Sequence, residues 1–122
     1  MNFRTLTIVI TMMTLIFTTG CSQRVADLTV ASTQNINMNS NDFIEGKRVK
    51  GTDTVAAIIF PLGTPNVEEA FDDAIKHDPC IVGLTDTVIT HNWFYLYFGY
   101  FQYNVEGTEL IDQSKVGCDS YQ

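Results

Sequence analysis

The sequence predicts an α+β domain: a mostly antiparallel sheet of about four strands with one amphipathic helix packed on one face. Three observations predict it. Runs rich in Val, Ile, Thr and aromatic residues recur from Val25 onward between turn-forming segments. One stretch, Val67 to Ile75, spaces its apolar residues for a helix rather than a strand. Finally, eight of the eleven residues from Trp93 to Tyr103 are aromatic, a composition suited to a strand.

Taken in order, the first strand-like run begins by Val25 and continues through Leu28 and Val30 toward Thr33. Gln34 to Asp42 carries asparagine at every second position; because asparagine is depleted in strands and favours turns, this reads as a polar loop. Lys47 to Phe60 forms the second strand region, where Gly51 suggests a bulge or bend. Its later half, Val55-Ala56-Ala57-Ile58-Ile59-Phe60, is apolar at successive positions, which argues for burial on both faces or a central place in the sheet.

The helix follows, with Thr64 as N-cap and Pro65 at the first helical position. Val67, Ala70, Phe71, Ala74 and Ile75 form one stripe, and Glu68, Glu69, Asp72 and Asp73 lie toward the other side. Lys76 and His77 sit in the last turn, favoured by the helix dipole, before Asp78-Pro79 ends it. Cys80 to Thr90 reads as a strand, His91-Asn92 as a turn and the aromatic run as the last strand. Val49-Lys50-Gly51-Thr52 is echoed by Val105-Glu106-Gly107-Thr108, as paired neighbouring strands with matching bends would explain.

The N-terminal residues 1–20 follow the order of an export signal: Arg4 and the amino terminus, an apolar run from Leu6 to Phe17, then small residues. That run falls short of the roughly 20 apolar residues a membrane span needs, so cleavage is expected. Thr18-Thr19-Gly20-Cys21 resembles the lipobox of bacterial lipoproteins. Gly20 and Cys21 match the motif and Thr19 is compatible with it, whereas Thr18 stands where the family favours an aliphatic residue. The resemblance implies cleavage between Gly20 and Cys21 and acylation of Cys21 at its sulfur and its new amine. Ser22, in place of the aspartate that retains such proteins in the inner membrane, implies an outer-membrane address; the periplasmic face is the expected side. The expected organisation is a signal peptide (1–20), a lipidated N-terminus with a short tether (21–24) and a single domain (25–122).

With the signal removed, six basic side chains face 14 acidic ones, a net charge of −8. Such a surface repels phosphate backbones, which argues against a nucleic-acid partner. If Cys21 is lipidated, Cys80 and Cys118 remain as an even pair in an oxidising compartment. They form a disulfide, or else Cys80 is a buried thiol and Cys118 belongs to a loose tail.

Catalytic signatures are not recognisable. Gly63-Thr64-Pro65 lacks the lysine and glycine pattern of a phosphate loop, and the carboxylates on the helix cannot wrap round a cation. His77 and Cys80, three residues apart, could form a thiol dyad, with capping and a disulfide as the ordinary alternatives. No cofactor or metal is expected.

The aromatic run is the most unusual feature. Trp93, Tyr95, Tyr97, Phe101 and Tyr103 share one strand face, and Phe94, Leu96, Phe98 and Tyr100 the other. One helix covers one face, so aromatic surface is left over for a partner unless a loop covers it. The expectation is a non-catalytic lipoprotein binding another envelope protein, or a second copy of itself, through Trp93, Phe94, Tyr95, Tyr97 and Phe98. The alternatives are a surface-exposed factor acting in phage exclusion or host contact, and a thiol-dependent enzyme.

Overall fold

In the computed structural model, which describes residues 2–16 and 20–120, two long strands form the middle of one antiparallel sheet. They are β4 (Ile81–Tyr95) and β5 (Phe98–Asp112); β1 (Cys21–Ala31) pairs with β4, and β2 (Phe43–Ile58) with β5. A two-residue strand, β3 (Phe60–Pro61), completes the order β1-β4-β5-β2-β3. The N-terminal segment contains helix α1 (Phe3–Ile16), and α2 (Val67–Ile75) lies on one face of the sheet. The fold is α+β, as the sequence predicts. Among the described residues no helix is long and apolar enough to cross a membrane.

The core lies between α2 and the sheet. Ala70, Phe71, Ala74 and Ile75 meet Ile81, Leu84, Ile89, Val105 and Ile111 from β4 and β5. Gly51 permits this contact, because a Cβ there would stand 2.0 Å from the Ala70 carbonyl oxygen and 2.4 Å from the Ala74 nitrogen. The glycine therefore marks a close approach rather than the expected bulge. Pairing runs unbroken from Arg48 to Ile58, and the bulge in β2 lies earlier, between Glu45 and Arg48. The repeated Val-x-Gly-Thr segments do pair with one another: Val49 faces Gly107, Gly51 faces Val105, and Lys50 bonds Glu106 across the strands at 3.1 Å.

Several boundaries differ from expectation. The helix is capped by Asn66, whose side chain accepts from the Glu68 N–H at 2.9 Å, and not by Thr64. Asn66 is held there by its own N–H, which donates to Asp53 at 2.7 Å. The helix ends at Ile75 with Lys76 as its C-cap, so Lys76 and His77 fall outside the last turn. Asp73 ties α2 to β2 by accepting from the Thr52 N–H. The Lys76 ammonium and that N–H hold its carboxyl below the ordinary value.

At the other end, β1 starts at Cys21 itself, so residues 21–24 are strand rather than tether. His91 and Asn92 are not a turn; they pair with Tyr103 and Gln102 in mid-strand. The aromatic run is instead folded on itself as the β4–β5 hairpin. Pairing Trp93 with Phe101 and Phe94 with Tyr100 gives each large ring a cross-strand neighbour. Val55 to Phe60 is not buried on both faces: Ala57 is buried, but Ile58, Ile59 and Phe60 are exposed at the end of β2, where two-residue β3 is the strand on its outer edge and β5 the one on its inner edge.

The Cys80–Cys118 disulfide is formed, with the Cα atoms 5.6 Å apart, and fastens the C-terminal segment to the start of β4. The bridge spans 38 residues, for which loop-closure entropy gives about 4 kcal/mol. Replacing both cysteines by serine is expected to lower the unfolding free energy in urea by about that amount. Gly51→Ala is expected to cost about 3 kcal/mol through overpacking under α2, whereas Gly63→Ala, whose new methyl group would meet only Val55 at ordinary contact distance, should leave the urea midpoint nearly unchanged.

Candidate functional site

The sheet ends, beyond α2, in two turns from different strand pairs. The first joins β4 to β5 through Leu96 and Tyr97, with Tyr95 across from Gly99. Gly99 is required, since a Cβ would lie 1.9 Å from the Phe94 carbonyl oxygen. The second reverses β2 into β3 on Ile59, which has φ 61°, a conformation rarely taken by a β-branched residue. The two turns are bonded together. Ile59 donates its N–H to the Tyr97 carbonyl at 2.9 Å, and the Tyr95 hydroxyl donates to the Ile59 carbonyl.

This double turn carries a cluster of large exposed side chains. Phe60, Leu62, Tyr97 and Phe98 are 74, 70, 77 and 68% exposed, and Ile58 and Ile59 are more than half exposed. At 150–250 Å² per aromatic side chain, the three rings alone leave on the order of 400 Å² in water. Together with the aliphatic residues, that exceeds the usual patch on a monomer.

The expected aromatic residues divide between two surfaces. Trp93 and Tyr95 lie on the face that α2 occupies further along, together with His91, Phe101 and Tyr103. His91 packs against Tyr103 at 4.7 Å between ring centres, and Tyr95 stacks on Phe101 at 6.4 Å. Phe94 and Tyr100 face each other on the opposite side, beside a polar ladder in which Gln102 bonds Thr54, Asn92 and Asn104. Tyr97 and Phe98 belong to the turn. Tyr97 therefore shares a strand face with neither group, because the chain reverses at that point.

Cys21 falls at this same end. It is exposed, its sulfur is free, and its backbone pairs with Trp93, three residues before Leu96. Gly20 is exposed beside the Trp93 carbonyl. Thr18 and Thr19 of the segment that resembles a lipobox lie outside the described residues, as does Phe17 before it. Charge is sorted along the strands. Residues 21–23, 54–67 and 87–105 contain no Asp, Glu, Lys or Arg, and the acidic side chains gather around α2 and the opposite end of the sheet.

The other candidate centres are occupied by structural bonds. The Cys80 sulfur is bridged to Cys118 and is not a free thiol. His77 reaches across to Glu109, Nε2 to Oε1 at 2.8 Å, and the almost buried Glu109 also accepts from the Lys47 N–H. On α2, Asp72 accepts from the Thr33 hydroxyl and Asp73 from Lys76, while Glu68 and Glu69 are exposed. Among the described residues no group of three or more His, Cys, Asp and Glu side chains could hold a metal ion. An open groove runs between α2 and β1, floored by Leu28, Ile89 and Phe71, because the helix lies over β2 and β5 and barely reaches β4.

Comparison of the chain with protein-family models, with curated proteins and with solved structures finds no match.

The signal for the double turn is present in the sequence as the end of the apolar run Val55 to Phe60, whose pattern is that of a buried strand. What sequence could not supply is the register that carries it past the end of the helix. Relieving the backbone at Ile59 should stabilise the domain: Ile59→Gly is expected to raise the unfolding free energy by about 1 kcal/mol, read as an upward shift of the thermal midpoint. A drop would mean that the Ile59 side chain contributes packing that outweighs its strained φ.

Proposed function

We propose that this protein is a non-catalytic lipoprotein of the outer membrane, attached by acyl chains on Cys21 on the periplasmic face, which binds another envelope protein. The reading is carried by one observation: the free, exposed Cys21 lies next to the uncovered aromatic face, in register with Trp93. The lipobox-like Gly20-Cys21 step supports acylation, and Ser22 supports the outer-membrane address. Trp93, Tyr95 and Phe101 form a part of the helix-side face that α2 leaves uncovered. Half-exposed rings on a rigid sheet suit a protein contact, since they offer large area with little side-chain entropy to lose. The bridged Cys80 supports a non-catalytic reading over a thiol-dependent one.

Growth with labelled palmitate is expected to mark the wild-type protein and leave Cys21→Ser unmarked; an unlabelled wild type overturns the anchor. For the partner, chemical crosslinking in intact envelopes should give a discrete higher-mass adduct that Trp93→Ala loses. If that variant keeps both the adduct and its thermal midpoint, the aromatic face is not the contact.

A further inference from the structure

The double turn has a chemistry different from the aromatic face beside it, and its position relative to Cys21 assigns it a different occupant. We propose that Ile58–Phe60, Leu62 and Leu96–Phe98 are a membrane-inserting tip that rests in the boundary between headgroups and acyl chains of the bilayer. The proposal rests on the reading that Cys21 is the attachment point.

Three observations converge on a lipid surface. The first is continuity. Helix α1 of the apolar N-terminal segment ends at Ile16, and only residues 17–20 separate it from Cys21, so the membrane-directed part of the chain enters the domain at this end. Cys21 is in register with Trp93, and Leu96 lies three residues beyond it. At about 3.3 Å per strand residue, the tip projects roughly 10 Å past the level of Cys21. A glyceride on the Cys21 sulfur sits at headgroup depth, so an upright sheet carries the tip about 10 Å further in. Amphipathic elements that lie in membrane interfaces bury to roughly 5–10 Å.

The second observation is charge. The three segments that build this end, residues 21–23, 54–67 and 87–105, hold no Asp, Glu, Lys or Arg. A net charge of −8 in the mature chain is thus kept away from the surface that would meet anionic headgroups. The third is the order of side chains along the strand axis. Ile59 and Tyr97 are outermost, with Ile58, Phe60 and Phe98 beside them, and Trp93, Tyr95 and Tyr100 stand one to three residues behind, Leu62 at the level of Tyr100. Tyr97 apart, aliphatic and Phe side chains ahead of a Trp/Tyr collar follow the polarity gradient of an interface, where indole and phenol groups settle at headgroup level. The hydrogen bonds between Ile59 and Tyr97 and between Tyr95 and Ile59 hold the two turns as one rigid wedge.

Trp93 is the chain's only tryptophan, so the depth of a single indole can be read. The protein purified from membranes is reconstituted into phosphatidylethanolamine–phosphatidylglycerol vesicles containing lipids brominated on their upper acyl carbons. The indole is moved in a Trp93→Phe background, either to the tip by Tyr97→Trp or to the opposite end of the domain by Val116→Trp. Both positions are exposed and outside the core, so neither variant threatens the fold. The tip indole is expected to shift to the blue on reconstitution and to be quenched at least threefold more than the one at position 116. Equal quenching at both positions, or a tip indole shielded only when other envelope proteins are added back, overturns the proposal. Mass spectrometry of the Cys21 peptide from the same preparation reports acylation separately, so a missing anchor and a tip outside the bilayer give different results.

Discussion

A helix of nine residues is about 14 Å long, and the strands beneath it, at 15 residues, are about 50 Å long. That mismatch governs the molecule. α2 can cover only a fraction of the helix-side face, and Gly51 fixes which fraction by admitting Ala70 and Ala74 onto β2. Everything further along β2, β4 and β5 extends past the core with no helix above it. A shorter hairpin would have left no free end, and a longer helix would have hidden it.

The composition of that free end is sorted rather than random. Ionic side chains accompany α2 and the far half of the sheet, where Lys50 meets Glu106 and His77 meets Glu109. The uncharged half holds the aromatic face, the double turn and Cys21. Its back face keeps a row of amides and hydroxyls, from Thr54 through Gln102 to Asn92, so even here one side of the sheet is suited to water. The result is a domain with a dry end and a wet end, and the thiol belongs to the dry one.

The sequence made much of this legible, for identifiable reasons. The apolar spacing from Val67 to Ile75 could satisfy only a helix, and the paired Cys80 and Cys118 only a bridge or a loose tail. The Val-x-Gly-Thr echo even indicated which strands are neighbours. Composition failed where register decides. Val55 to Phe60 has the pattern of a central strand, yet lies near the sheet's edge and beyond the helix. His91 and Asn92 have turn chemistry, but Tyr103 and Gln102 opposite them supply better partners. Trp93 to Tyr103 reads as one strand because nothing in it is a conventional turn residue except Gly99. The reversal at Leu96-Tyr97 is imposed by pairing on both sides.

The start of β1 at Cys21 has a mechanical consequence. With Cys21 already in the hydrogen-bond ladder opposite Trp93, the lipid proposed for that sulfur would join the folded body with no slack between them. Tilt and torque from the bilayer would pass straight into the backbone, and the capture radius of the domain would equal its own height. Under that proposal, whatever the domain meets would come within about 50 Å of the lipid surface, which would favour targets embedded in the membrane or lying flat upon it over those suspended in the periplasm.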